Sequence, residues 1–119
     1  MIHSSRFQRT YSFRDRSLEA SNVLNNYPDR KPIVCERVHN QPHLPEIDKH
    51  KYLVPNELTL GQFMYVIRRR LKLGPEEALY FIINGRFLPT ASIIGQIYYE
   101  ERENDGFLYI QYAKENVFG

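Results

Sequence analysis

With 119 residues, 42% apolar and 25% charged, the chain has the size and composition of one folded domain, which excludes wholesale disorder and a pair of ordinary domains. Its longest uncharged run, Phe87 to Tyr99, is broken by Pro89 and Gly95 and falls well short of the roughly 18 residues that span a bilayer. The net charge of +2 is unevenly placed: residues 1–31 carry six Lys/Arg against three Asp/Glu, residues 32–72 seven against four, and residues 73–119 three against seven, so one face is expected to be basic.

The first predicted element is a helix in the segment from Ser12 to Arg30, opened by a Ser12-x-x-Asp15 capping pattern. Phe13, Ala20, Val23, Leu24 and Tyr27 form its apolar stripe, and Asn25, Asn26 and Pro28 close it. Residues 1–11 are expected to be a flexible arm. The β-branched run from Lys31 to Val38 predicts a strand, residues 39–48 a proline-containing loop, and Lys51 to Pro55 a second, short strand. A proline at its end suits a strand at a sheet edge.

Thr59 is placed to cap a helix with Leu60, Phe63, Met64, Ile67 and Leu71 on one face and Arg68, Arg69, Arg70 and Lys72 on the others. Gly74 and Pro75 are expected to end it. The continuous apolar run Ala78 to Asn84 predicts a strand buried on both faces and central in its sheet. Asn84-Gly85 is a tight-turn signal into a short partner, Arg86 to Leu88. Thr90 is expected to cap a last helix with Ile94, Ile97 and Tyr98 inward, Gly106 to break it, and Phe107 to Tyr112 to form the final strand before an exposed tail, 115–119.

A helix followed by ββαββαβ is the element order of an α+β, β-grasp (ubiquitin-like) fold with an added N-terminal helical segment, one domain over residues 12–114. Val34, Leu53 and Phe107 or Leu108 put apolar side chains on both faces of a sheet whose central helix covers only one. The stripe from Phe13 to Tyr27 is the available cover for the other, and a partial fit would leave pockets.

Catalysis finds little footing. A single cysteine, Cys35, lies mid-strand in a buried-looking run, a poor place for a nucleophile. It is also compatible with a reducing compartment, as is a start that has no apolar signal segment. His39 and His43 are separated by Pro42, which forbids the helical turn that would bring them together on a metal. With no Gly-rich phosphate loop either, neither an enzyme nor a resident cofactor is expected. RNA binding through the basic half lacks an ordered aromatic motif, so no nucleic-acid partner is expected.

Five ordered blocks then stand out: Tyr27 to Arg30 followed by Pro32; Asp48 to Pro55; Leu58 to Phe63 with Ile67 to Arg70; Ile97 to Glu100; and Asp105 to Ile110 with the closing Val117, Phe118 and Gly119. On these blocks the sequence resembles the autophagy-related ubiquitin-like modifier family, the GABARAP-like proteins, from about Phe13 to Gly119. It departs from the family pattern in the arm before Phe13, at Asn25, Asn26 and Leu88, and in the loop 39–46.

The resemblance implies a C-terminal glycine, here Gly119, exposed by a cysteine protease, carried as a thioester by activating and conjugating enzymes, and joined to phosphatidylethanolamine. The protein would then be cytoplasmic, and held on autophagosomal or vesicle membranes once lipidated.

The resemblance also implies docking of aromatic-x-x-aliphatic motifs of adaptors and cargo receptors along the second strand. By match, Glu19, Val23, Pro32, Val34, Lys51, Leu53 and Phe107 form an aromatic pocket. Tyr52, Val54, Pro55, Leu58, Phe63, Val66 and Ile67 form an aliphatic one, and Arg30, Lys49 and Arg70 contact acidic residues beside the motif. The alternative is a ubiquitin-like interaction module that is never conjugated and binds peptides or cytoskeletal and trafficking partners.

Overall fold

A computed structural model describes residues 5–41 and 43–114. Two side-chain caps open the chain. The Ser12 hydroxyl accepts the Asp15 N–H and starts helix α2, Phe13–Asn26, as the sequence predicts. Before it, Ser5 and Gln8 form a reciprocal capping box that starts a helix α1, Arg6–Thr10. The described part of the expected arm is therefore structured. Five residues are too few for a helix to persist alone, and α1 exists because Phe7, only 6% exposed, is packed beneath it.

The chain continues through β1, Arg30–Arg37; β2, Lys51–Pro55; α3, Leu60–Leu71; β3, Tyr80–Ile82; α4, Ile94–Glu101; and β4, Leu108–Ala113. The four strands make one mixed sheet in the order β2-β1-β4-β3. β1 and β4 run parallel at its centre, and β2 and β3 add antiparallel at the two edges. This is the α+β, ubiquitin-like arrangement expected from the element order.

Alternation along the strands then builds two cores. Ile33, Cys35, Tyr52, Val54, Leu108, Ile110 and Tyr112 join Phe63 and Ile67 of α3 and Ile94 and Ile97 of α4 in the larger one. The Tyr112 hydroxyl accepts the Ile47 N–H and donates to the Pro45 carbonyl, tying the 39–48 loop to that core, and burial pushes its pKa up to about 12.

Four local expectations are corrected. The apolar run 78–84 contributes only the edge strand β3, with Tyr80 36% exposed. Continuous apolarity reported that both faces are covered, which Phe81, Ile82 and Ile83 bear out, and carried no information about pairing at the outer edge. Asn84 and Gly85, with φ of 50° and 76°, make the expected tight turn, but Arg86 to Leu88 yields a single bridge to Ile83 and no strand.

Helix α3 opens with the Thr59/Gln62 capping box and stops at Leu71, before Gly74. Lys72 adopts the left-handed conformation, and its N–H and that of Leu73 fall back on the Arg69 and Arg68 carbonyls. Thr90 does not cap α4. Instead the Ile94 and Gly95 N–H groups donate to the Leu58 and Asn56 carbonyls, so a loop backbone does the work of a side chain.

The opposite sheet face carries the second, smaller core of Phe7, Ala20, Val34 and Phe107, flanked by Tyr109. Of the predicted α2 stripe only Ala20 is fully buried, and Phe13 is 54% exposed, because Phe7 from α1 takes the space over Val34 and Phe107. The helices are fastened there by an ion pair, Arg16 Nε to Asp105 Oδ2 at 2.8 Å, whose side chains are 11% and 1% exposed.

Removing one partner of a buried pair strands the other charge, which costs about 3–5 kcal/mol. Arg16→Met is accordingly expected to lower the unfolding free energy by about 3 kcal/mol in a urea titration. A loss under about 1 kcal/mol would show that the pair is dispensable.

Candidate functional site

The open edge of β2 is a consequence of register. Lys31 faces Val54 and Ile33 faces Tyr52, while just outside the strand the Cys35 N–H donates to the His50 carbonyl and the Asn56 N–H to that of Asp29. Residues 50, 52, 54 and 56 therefore turn their backbone groups toward β1, and Lys51, Leu53 and Pro55 turn theirs outward. Pro55 has no N–H, and its carbonyl accepts from Leu58. The usable edge is thus Lys51 and Leu53, two residues, the footprint of a peptide strand of three or four residues. One of its acceptors, the Leu53 carbonyl, already receives Arg30 Nη1 at 3.2 Å.

The same alternation sends Lys51 and Leu53 to the α2 face and Tyr52 and Val54 into the larger core. Of the seven residues expected for the aromatic pocket, Val34 and Phe107 share the smaller core, Pro32 faces Leu53 in the sheet register, and Lys51 meets Glu19 of α2, with unequal access. Pro32, Val34 and Phe107 are buried, Glu19 and Val23 half-buried, and Lys51 and Leu53 exposed. Lys51 Nζ bonds Glu19 Oε2 at 2.7 Å and so bridges β2 to α2. Both side chains are about half exposed, so solvent screens the bridge and it is worth little energetically.

The aliphatic set divides in the same way. Tyr52, Val54, Phe63 and Ile67 are core residues, with the Tyr52 and Phe63 rings edge-on at 5.3 Å. Burial raises the Tyr52 hydroxyl well above its usual pKa, and that hydroxyl donates to the Lys49 carbonyl. Pro55 and Leu58 are half-buried and Val66 is 40% exposed, so these three form the reachable wall between β2 and α3.

The three expected acid-binding cations each have a partner of their own. Arg30 is on the Leu53 carbonyl, Lys49 Nζ is 5.2 Å from the Tyr52 ring centroid, and Arg70 pairs with both oxygens of Asp48 at 3.2 and 3.1 Å. The Arg70 hydrogen bonds hold the exposed Asp48 carboxyl below its usual pKa. An acidic peptide group can take the place of Asp48 with little change in charge.

Two contributors escaped the sequence reading. Phe7 stands against Phe107 with ring centroids 5.0 Å apart, and Lys51 Nζ is 5.8 Å from the Phe7 centroid. The Ser5-x-x-Gln8 pattern was a signal for the helix that carries it. Arg30 as a cover for the strand edge has no sequence signal. Cys35 is wholly buried, and burial drives its thiol far above its ordinary pKa. Gly119 lies outside the described residues. The last one described, Lys114, donates its N–H to Gln41 Oε1 at 2.7 Å.

A family model described as "Autophagy protein Atg8 ubiquitin like" matches residues 15–119. The chain is 48% identical over 115 residues to the Autophagy-related protein 8 of Schizosaccharomyces pombe, covering 97% of this chain and 94% of that protein. It is 48% identical over 115 residues to the Candida albicans protein of the same name, at 97% and 84% coverage. Its fold is similar to the crystal structure of Trypanosoma brucei ATG8, with a TM-score of 0.90 at 39% identity, covering 98% of this chain and 100% of that one.

Amide hydrogen exchange reads the edge directly. In the free protein the Lys51 and Leu53 amides are expected to exchange far faster than those of Tyr52 and Val54. Equal protection across the four would mean that the edge is closed.

Proposed function

The chain belongs to the Atg8 family of ubiquitin-like autophagy proteins, and from that premise we propose that it is a membrane-conjugated docking module. Its Gly119 carboxyl, activated as a thioester by ubiquitin-like pathway enzymes, is attacked by the primary amine of phosphatidylethanolamine. The amide forms and the enzyme thiol leaves. A cysteine protease acts first wherever residues follow the glycine.

The family match runs through Gly119, and a glycine suits the step because a residue without Cβ enters narrow clefts and adopts backbone angles closed to others. Two acyl chains then hold the protein on an autophagosomal or vesicle membrane, each buried CH₂ contributing about 0.8 kcal/mol. Among the described residues no helix is long and apolar enough to cross a membrane, so the lipid would supply the anchor.

The single observation that supports the docking half is the two-residue open edge at Lys51 and Leu53, with Leu53 exposed on the α2 face and Val66 exposed on α3. A short strand added there presents successive side chains to opposite faces. Its aromatic residue goes toward Val23 and Leu53, and its aliphatic residue toward Pro55, Leu58 and Val66. Two such side chains contribute roughly 1.5–3 kcal/mol each. With the edge hydrogen bonds this approaches micromolar affinity, about 8 kcal/mol. Adaptors and cargo receptors bearing acidic residues beside an aromatic-x-x-aliphatic motif are the partners this surface suits.

The halves separate experimentally. Gly119→Ala is expected to remove the faster-migrating lipidated band and vesicle association in cells. Undiminished membrane recruitment would leave an interaction module that is never conjugated. Leu53→Arg is expected to weaken a Trp-x-x-Leu peptide at least tenfold by isothermal titration, and an unchanged affinity would place the docking surface elsewhere.

A further inference from the structure

Helix α1 is fastened more thoroughly than five residues on a surface require. Besides its capping box, the Phe7 N–H donates to Glu36 Oε2 at 2.9 Å and Arg6 pairs with Glu46 at 2.8 Å. Arg16 Nη1 also donates to the Gln8 and Tyr11 carbonyls at 3.1 and 2.6 Å. What these bonds hold in place is the Phe7 ring.

That ring meets the residues forming the inner part of the aromatic hollow. It is edge-on to Phe107, shares a cluster with Val34, and has Lys51 Nζ 5.8 Å from its centroid. Val34 and Phe107 are 0% and 2% exposed, so with Phe7 in place they offer almost no surface to an incoming ring. The surface left to an incoming ring among the expected pocket residues is that of Glu19 and Val23, half-buried, and Lys51 and Leu53, exposed.

We infer that Phe7 is the back wall of the aromatic hollow and the specificity-determining residue that sets its depth. This rests on the docking reading above and extends the binding surface to a helix outside the strand edge and α2. A shallow hollow takes one-ring and two-ring side chains with similar gain, since the second ring finds no further apolar wall to bury against. Shortening residue 7 yields depth between Val34 and Phe107 that only the longer indole reaches.

The test compares Trp-x-x-Leu and Phe-x-x-Leu peptides on wild type and Phe7→Leu by isothermal titration. Leucine keeps an apolar anchor under α1, and protection of the α2 amides in hydrogen exchange verifies that the helices stay docked. The preference for the tryptophan peptide is expected to rise about fourfold in the variant, the factor that one further buried methylene supplies. In Phe7→Ala the ratio is expected to rise further.

A ratio that stays constant, whether both affinities hold or both fall by one factor, overturns the inference, because a merely structural role moves both peptides together. Wild type that binds neither peptide would remove the docking reading itself, and this inference with it.

Discussion

The second face of the sheet depends on one buried carboxylate. Asp105 is 3% exposed and accepts from Arg16 Nε, the Phe107 N–H and the Tyr109 hydroxyl. Its hydrogen bond and charge add to burial in raising the Tyr109 pKa. Arg16 in turn reaches the Gln8 and Tyr11 carbonyls, so one ion pair joins α1, α2 and the turn into β4. A buried pair is no more stabilising than good apolar packing, but unlike packing it is directional. Here it fixes which face of α2 meets the sheet. Gly106 shows how close the approach is: with φ of 91°, a Cβ placed there would lie 2.8 Å from the Ala20 Cβ.

The unequal cover of the two faces is what generates a site. α3 and α4 lie on one face and bury a large continuous core with Phe63, Ile67, Ile94 and Ile97. The other face has α1 and α2, and their core with the sheet is four residues with Tyr109 beside them. Where α2 stops short of β2, Leu53 stays exposed and Lys51 crosses the gap to Glu19. A longer or better-fitting stripe on α2 would close that gap and cover Leu53.

Local chemistry was legible and long-range pairing was not. Caps written into a few residues, such as Ser12 with Asp15 and Thr59, appear where the sequence puts them, as does the Asn84-Gly85 turn. Pro55 correctly marked β2 as an edge. The run around Phe81 could not disclose that its strand is also at an edge, since burial of faces and pairing of backbones are separate properties. The start of α4 was missed for a related reason: its donors find Asn56 and Leu58 carbonyls almost forty residues earlier in the chain. On the second sheet face Val34 and Phe107 fall in one cluster, yet Phe7, which joins them, was passed over because the segment holding it carries a weak helical pattern and gains its structure from tertiary contacts.

An open strand edge is also a hazard, because it can pair with the same edge of another copy. The features that limit this hazard here are the ones that shape the docking surface. Pro55 ends the edge without a donor, and its carbonyl is already bonded to Leu58. Arg30 covers the Leu53 carbonyl, and Lys51 puts a charge beside the strand. Two residues of open backbone cannot hold a long strand from another copy without help from side chains. On the docking reading proposed above, a partner would therefore need two fitting apolar groups at the right separation. On that reading, acidic groups beside its motif would draw Arg30 off the Leu53 carbonyl, so the contacts that protect the edge would also select the partner.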